Sequence, residues 1–121
     1  MNIKKHIQLT TEPLEYLITN RETVDFRLDE STWEKLVVGD MIEFWEDLSG
    51  WDKEPSQNAR KVVVEILEVF RASSFSELID DLPESFQRGR AKEDTITDLR
   101  QWWTPEKEKQ IGVLGWRVAL V

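Results

Sequence analysis

The most constraining feature of the sequence is a change of hydrophobic period within the segment from Glu12 to Glu46. Leu14, Leu17 and Ile18 follow the three-and-four spacing that lines one face of a helix. From Thr23 onward, apolar residues instead alternate with polar ones, as they do in a strand with one buried face. The segment therefore predicts a short helix followed at once by a strand, with a second strand after a connector.

Both ends of the predicted helix carry residues that favour helix boundaries. Thr11 is the expected cap at its start, and Pro13 is tolerated in a first turn because the amides there have no helical partner. Asn20 is expected to adopt the left-handed conformation that closes a helix. The chain should therefore turn sharply before Thr23.

The strand that follows has an apolar face and a polar face. The apolar face carries Val24, Phe26 and Leu28. The polar face carries Thr23, Asp25 and Arg27. A hydroxyl, a carboxylate and a guanidinium thus stand in a row beside the end of the helix, and this row is the candidate site that the sequence proposes.

The same stretch resembles the signature of the ASCH (activating signal cointegrator homology) family. The resemblance begins with residues 21–29 (RETVDFRLD) and residues 38–44 (VGDMIEF), and His6 matches the histidine that opens the family pattern. It continues in residues 74–78 (SFSEL) and in a closing Ile-Gly-Val at 111–113, so it covers nearly the whole chain. The family has the PUA-like fold, a small pseudo-barrel associated with RNA.

Residues 1–121 are accordingly expected to form a single ASCH domain, mostly β with flanking helices, as a PUA-like pseudo-barrel of mixed, mainly antiparallel strands. Further predicted strands cover residues 3–9, 41–46, 60–71 and 113–121. Predicted helices cover residues 75–82 after a capping box at Ser74, residues 95–103, and a short stretch that starts at Pro105. The strongly charged segment 106–110 in this last helix should lie on the surface. Residues 48–58 and 84–94 should be loops.

Composition limits the classes of function. A formal net charge of −8 argues against broad electrostatic binding of nucleic acid, so no binding to DNA is expected. The absence of Cys and the single His predict no metal site, and no cofactor is expected. The chain has no apolar run long enough for a membrane span and no apolar leader, so it is expected to be cytoplasmic and without membrane contact. It is also expected to be a monomer. A basic cluster, Arg88, Arg90 and Lys92, is the candidate phosphate-contacting loop.

Some members of the ASCH family are small amidohydrolases acting on acetylated cytidine, which makes a hydrolase of a modified nucleoside or of RNA an alternative function. In that subgroup the resemblance implies a lysine at the position of Glu22 and a threonine at the position of Asp25. A carboxylate cannot replace a lysine base or a hydroxyl nucleophile with the role unchanged. Glu22 and Asp25 are therefore only weak catalytic candidates. The sequence favours a protein that is not an enzyme over one that is.

The preferred hypothesis is binding of RNA or a nucleotide beside the helix-turn-strand from Arg21 to Arg27. The ligand-binding candidates are Arg21, Thr23, Asp25, Arg27, His6, Trp45 and Trp116. In this hypothesis the arginines meet phosphate, Asp25 accepts from an exocyclic amine, and a tryptophan stacks on a base. Two alternatives remain: a salt bridge between Asp25 and Arg27 that only orders the strand, and a protein-interaction module. Trp51, in the loop at 48–58, is expected either to cover the barrel or to offer a stacking surface.

Overall fold

Five strands and four α-helices occupy the described part of the chain, which in this computed structural model comprises residues 2–33, 35–83 and 90–121. The strands are β1 Ile3–Thr10, β2 Glu22–Leu28, β3 Met41–Asp47, β4 Lys61–Ala72 and β5 Val113–Leu120. The helices are α1 Thr11–Asn20, α2 Phe75–Asp81, α3 Lys92–Leu99 and α4 Pro105–Ile111, and a single turn of 3-10 helix covers Ser31–Trp33. Within these ranges, no helix combines the length and apolar character needed to cross a membrane.

The strands form one sheet in the order β1-β3-β4-β5-β2. β1 pairs with β3 in parallel, whereas β3 and β4 are antiparallel. β5 is antiparallel to β2, because Leu120 N donates to Arg21 O at one end of the pair and Asp29 N donates to Gly112 O at the other. The predicted fold class, mostly β with flanking helices and mixed, mainly antiparallel strands, is therefore confirmed.

The chain divides into two compact units. The first unit comprises Met1–Thr23, Leu36–Glu68 and Arg117–Val121, and the second comprises Val24–Lys35 and Val69–Trp116. Fully buried side chains of the first unit include Leu14, Leu17, Ile42, Phe44, Val64 and Ile66. The core of the second unit contains Val24, Phe26, Leu28, Phe75, Leu78, Ile79, Leu82 and Val113. The expectation of a single domain stays a prediction.

Both predicted ends of α1 are displaced by one residue. Thr10, not Thr11, occupies the position before the helix, and the Thr11 hydroxyl instead donates to Glu46 at 3.0 Å. Asn20 remains helical, while Arg21 takes the left-handed conformation at φ 66° and its N–H donates to Leu17 O. A left-handed non-glycine residue costs about 1–2 kcal/mol, and the bond that Arg21 O accepts from Leu120 N helps to hold it there.

The capping predictions for the later helices are confirmed. Ser74 Oγ accepts from Glu77 N ahead of α2, and Thr104 Oγ1 accepts from Lys107 N ahead of α4. The α3 prediction was wrong in its bounds, because the helix starts at Lys92 and its regular turns end at Leu99. The prediction that the charged segment 106–110 lies on the surface was also wrong at Glu108, which is only 3% exposed.

The physical reason for the burial of Glu108 lies in its partners. Its Oε1 accepts from Phe75 N at 2.8 Å, and its Oε2 lies 2.5 Å from Arg100 Nη1. The carboxylate thus supplies a partner to an N-terminal amide of α2, which a helix by itself leaves unbonded.

Residues 48–58 form the predicted loop. Of the predicted basic loop, Arg88 lies outside the described residues, whereas Lys92 contacts Asp80 at 2.7 Å and Arg90 pairs with Asp98.

Candidate functional site

The polar face of β2 carries a closely paired carboxylate and guanidinium in the second unit. The predicted alternation holds, because Val24, Phe26 and Leu28 enter the core while Asp25 and Arg27 lie on the opposite face. Arg27 Nε donates to Asp25 Oδ2 at 2.6 Å, and the two side chains are only 15% and 10% exposed. The salt bridge between Asp25 and Arg27, which the sequence predicted as an alternative to ligand binding, is thus present in the structure. A pair so little exposed to water interacts more strongly than a pair on an open surface.

Two tryptophans extend this pair into a cluster. Arg27 Cζ lies 5.8 Å from the centre of the Trp33 ring, within the range of a cation–π contact. Trp33 in turn meets Trp116 edge to face, with ring centres 5.5 Å apart and planes at 86°. Asp25, Arg27, Trp33 and Trp116 are hereafter called the arginine–indole cluster.

Trp116 is the most deeply buried member of this cluster. Trp116 is 0% exposed, and its indole Nε1 has no hydrogen-bond partner among the described residues. Leaving a buried donor unpaired costs about 1–3 kcal/mol. A fully buried ring offers no face for stacking in this conformation, so the indole N–H is the polar feature that Trp116 contributes.

Sequence reasoning missed Trp33. It lies in the 3-10 turn that follows β2, a segment in which no hydrophobic period marks a buried face. A tryptophan six residues after a strand-borne arginine was the available signal, but only the turn geometry brings its ring back to Arg27.

Thr23, the remaining residue of the predicted row, and the weak catalytic candidate Glu22 belong to the first unit. Glu22 Oε1 accepts from Arg117 Nη1 at 2.6 Å, and Arg117 Nε donates to Glu68 Oε1 at 2.6 Å. The hydrogen bond that Arg117 donates to Glu22 is the largest cause that raises the pKa of Arg117, the bond to Glu68 adds to it, and burial opposes both. Thr23 is 7% exposed, and its Oγ1 has no partner among the described residues. Arg117 was not foreseen, because its partner on β2 is 95 residues away in sequence.

His6 and Trp45 also lie in the first unit, on the paired strands β1 and β3. His6 Nδ1 is 2.9 Å from Glu43 Oε1, and its side chain is 61% exposed. The two residues are direct neighbours in the parallel register. Trp45 is buried, with 6% exposure. The structure thus gives His6 an acidic partner and leaves Trp45 little surface for stacking.

A buried ion pair in the first unit was also missed by sequence reasoning. Glu46 is 3% exposed and receives hydrogen bonds from Arg60 Nη2 at 2.8 Å and from the Thr11 hydroxyl at 3.0 Å. These bonds, that from Arg60 foremost, lower the pKa of Glu46 from 4.5 to about 2 despite its burial. Arg60 also contacts Glu15 at 2.7 Å. The network ties α1 to β3 and is structural.

No group of three or more Asp, Glu or His side chains is arranged to hold a metal ion in the described ranges. Of the sequence-predicted site residues, the second unit brings together Asp25, Arg27 and Trp116. The first unit holds the other members, Arg21, Glu22, Thr23, His6 and Trp45.

The fold itself has solved counterparts. The crystal structure of hypothetical protein PH0355 matches 97% of this chain and 98% of its own, with a TM-score of 0.75 and 21% identity. The solution NMR structure of protein PF0455 from Pyrococcus furiosus matches 97% of each chain, with a TM-score of 0.63 and 22% identity. No protein-family model and no curated protein matches the chain. At these identities the two structures establish the fold class alone.

Proposed function

We propose that the protein is an ASCH-type domain that binds single-stranded RNA or a nucleotide through the arginine–indole cluster. The observation that carries the proposal is the position of Arg27, which is paired with Asp25 at 2.6 Å and lies 5.8 Å from the centre of the Trp33 ring. Guanidinium groups beside aromatic rings are a common arrangement for holding unstacked bases and phosphates. The resemblance of residues 21–29 and 38–44 to the ASCH signature supports the same class of ligand.

The cluster contains complementary groups for a nucleotide. Arg27 donates to phosphate or to a base carbonyl, and Asp25 accepts from an exocyclic amine. Trp33 adds an aromatic ring and is a partly exposed residue. Trp116 is fully buried and meets Trp33 edge to face, so its indole N–H signal reports a ligand bound at Trp33 without touching the ligand.

The charge of the protein restricts how the ligand is held. With a formal net charge of −8, the chain cannot depend on many phosphate contacts for affinity. Each phosphate contact to a single strand contributes about −0.7 to the slope of log K against log salt. We therefore expect a short ligand and a slope near the value for one or two contacts.

The proposal is tested by NMR titration of ¹⁵N-labelled protein at low salt with short single-stranded RNA and with a mixture of nucleosides. The expected result is a set of shifts centred on the amides of Asp25 and Arg27 and on the indole N–H signals of Trp33 and Trp116. Absence of shifts at millimolar ligand would overturn the proposal.

A charge-neutral pair of substitutions separates binding from folding. Asp25→Asn with Arg27→Gln keeps the net charge and leaves no buried charge unpaired, so the fold should survive while binding is lost. The matched control is Asp29→Asn with Arg71→Gln, because Arg71 Nε contacts Asp29 Oδ2 at 3.1 Å in the same unit. Equal loss of binding in both variants would indicate non-specific attraction and contradict the assignment.

A further inference from the structure

The loop that follows β3 is held by a buried aspartate. Asp47 is 2% exposed, and its Oδ1 accepts from Gly50 N at 2.9 Å and from Asp52 N at 3.0 Å. Its Oδ2 accepts from Gln8 Nε2 at 3.0 Å, which ties the carboxylate to β1. The two amides that Asp47 binds lie on either side of Trp51.

A second aspartate completes the loop. Asp52 Oδ2 accepts from Leu48 N at 3.2 Å, and Asp52 Oδ1 accepts from the Ser49 hydroxyl at 2.7 Å. Ser49 Oγ also accepts from Trp51 N at 3.0 Å. Gly50 sits at φ +88°, a conformation that suits glycine. The amides of residues 48, 50, 51 and 52 are thus all bonded to side chains, so the loop is ordered by its own sequence.

This ordered loop displays its two large apolar side chains. Trp51 is 78% exposed and Leu48 is 51% exposed. These two side chains are hereafter called the Trp51 surface. A tryptophan held outward on a pre-ordered backbone loses little conformational entropy on binding, which is why such residues dominate protein interfaces. Internal hydrogen bonding therefore fixes the backbone around an indole that the fold leaves exposed.

The charge around the Trp51 surface is acidic. Asp52 and Glu54 flank Lys53 in the loop itself. Side-chain contacts join the start of α1, the end of β3 and the start of β4. Glu46, at the end of β3, contacts Thr11 at the start of α1 and Arg60 directly before β4. Arg60 also pairs with Glu15 of α1. Glu12, Glu15, Asp52 and Glu54 are the acids that these segments and the loop expose to solvent, whereas Glu46 and Asp47 are buried; the basic residues there are Lys53, Arg60 and Lys61. The excess of carboxylates favours a cation and opposes a phosphate backbone.

We propose that the Trp51 surface docks an arginine- or lysine-bearing segment of a partner protein, with a cationic side chain over the indole of Trp51. Leu48 supplies apolar contact, and the surrounding carboxylates steer the positively charged segment towards the ring. This surface is separate in sequence and chemistry from the arginine–indole cluster and does not depend on it.

The test is a titration of the ¹⁵N-labelled full chain with a short peptide of alternating arginine and leucine. Parallel titrations use the same peptide with glutamate in place of arginine, and single-stranded RNA. We expect the arginine peptide to shift the Trp51 indole N–H and the amides of Gly50 and Asp52, with weaker binding as salt rises. The glutamate peptide and RNA should leave these signals unchanged.

Two variants localise the effect. Trp51→Ala keeps the backbone bonds of the loop and should weaken peptide binding by at least about fivefold without changing the melting temperature. The control Trp102→Ala removes an indole that is 43% exposed in the second unit and should bind as the wild type does. Undiminished binding by Trp51→Ala, or shifts of the Trp51 signals by RNA or the glutamate peptide, would overturn the proposal.

Discussion

Acidification should remove the stabilising contribution of Glu46 over a defined range of pH. The pKa of Glu46 is lowered from 4.5 to about 2, chiefly by the hydrogen bond from Arg60. At about 1.4 kcal/mol for each pH unit, this lowering sets an upper limit of about 3 kcal/mol on the contribution of the charged form. The Arg60 side chain is 42% exposed, so solvent screening reduces the expected value to about 1–2 kcal/mol.

The sign follows from the direction of the shift. Because the folded-state pKa lies below the unfolded one, the contribution is complete above about pH 5 and is lost as pH falls towards 2. Glu46→Gln removes the charge but keeps the shape and the acceptor for Thr11. The variant should therefore be less stable than the wild type at pH 7 by about 1–2 kcal/mol, and more than half of this gap should have closed by about pH 3.

Urea unfolding at a series of pH values between 7 and 3 measures this gap, which is the difference in the free energy of unfolding between the wild type and Glu46→Gln. The control is Glu65→Gln on β4, because Glu65 carries no ion pair within the described residues. Its difference from the wild type should be small and should change little with pH. A gap for Glu46→Gln that stays constant from pH 7 to 3 would refute the assignment of the lowered pKa to the Arg60 contact.

Three further substitutions test the packing of the second unit, all by urea unfolding. Glu108→Ala should cost about 3 kcal/mol, because it leaves Phe75 N and Arg100 without their buried acceptor, whereas Glu106→Ala on the same helix should stay within about 0.5 kcal/mol. Gly115→Ala should cost about 1 kcal/mol, since its added Cβ would lie 3.2 Å from a Val24 methyl group. Ser74→Ala should cost about 1 kcal/mol through loss of the α2 cap, and no loss would contradict that role.

Sequence reasoning succeeded where the signal is local. The alternation along β2 predicted that Asp25 and Arg27 share a face, and their spacing of two residues already allowed the salt bridge that forms. The capping roles of Ser74 and Thr104 were predicted for the same reason, since a cap bonds an amide three residues away. The one-residue error at the end of α1 reflects the left-handed conformation of Arg21, which local propensity assigns to asparagine or glycine.

Sequence reasoning failed where a charge finds a distant partner. Glu22 meets Arg117 across 95 residues, and Glu46 meets Arg60 across 14. Glu108 was expected on the surface because charged residues are rarely buried, yet an unbonded amide of α2 and Arg100 together make its burial favourable. Trp33 was missed because only the return of the 3-10 turn places it beside Arg27.

The sequence by itself determined the order of helices and strands, the faces of β2 and the caps of the later helices, because each depends on contacts within a few residues. It also carries the bonds of the Trp51 loop, whose donors and acceptors almost all lie within five residues of one another. Only the tertiary structure decided which charges are paired and which indoles are exposed. The sheet order β1-β3-β4-β5-β2 sets β5 beside β2 and β1 beside β3, and so brings together side chains that no local pattern relates.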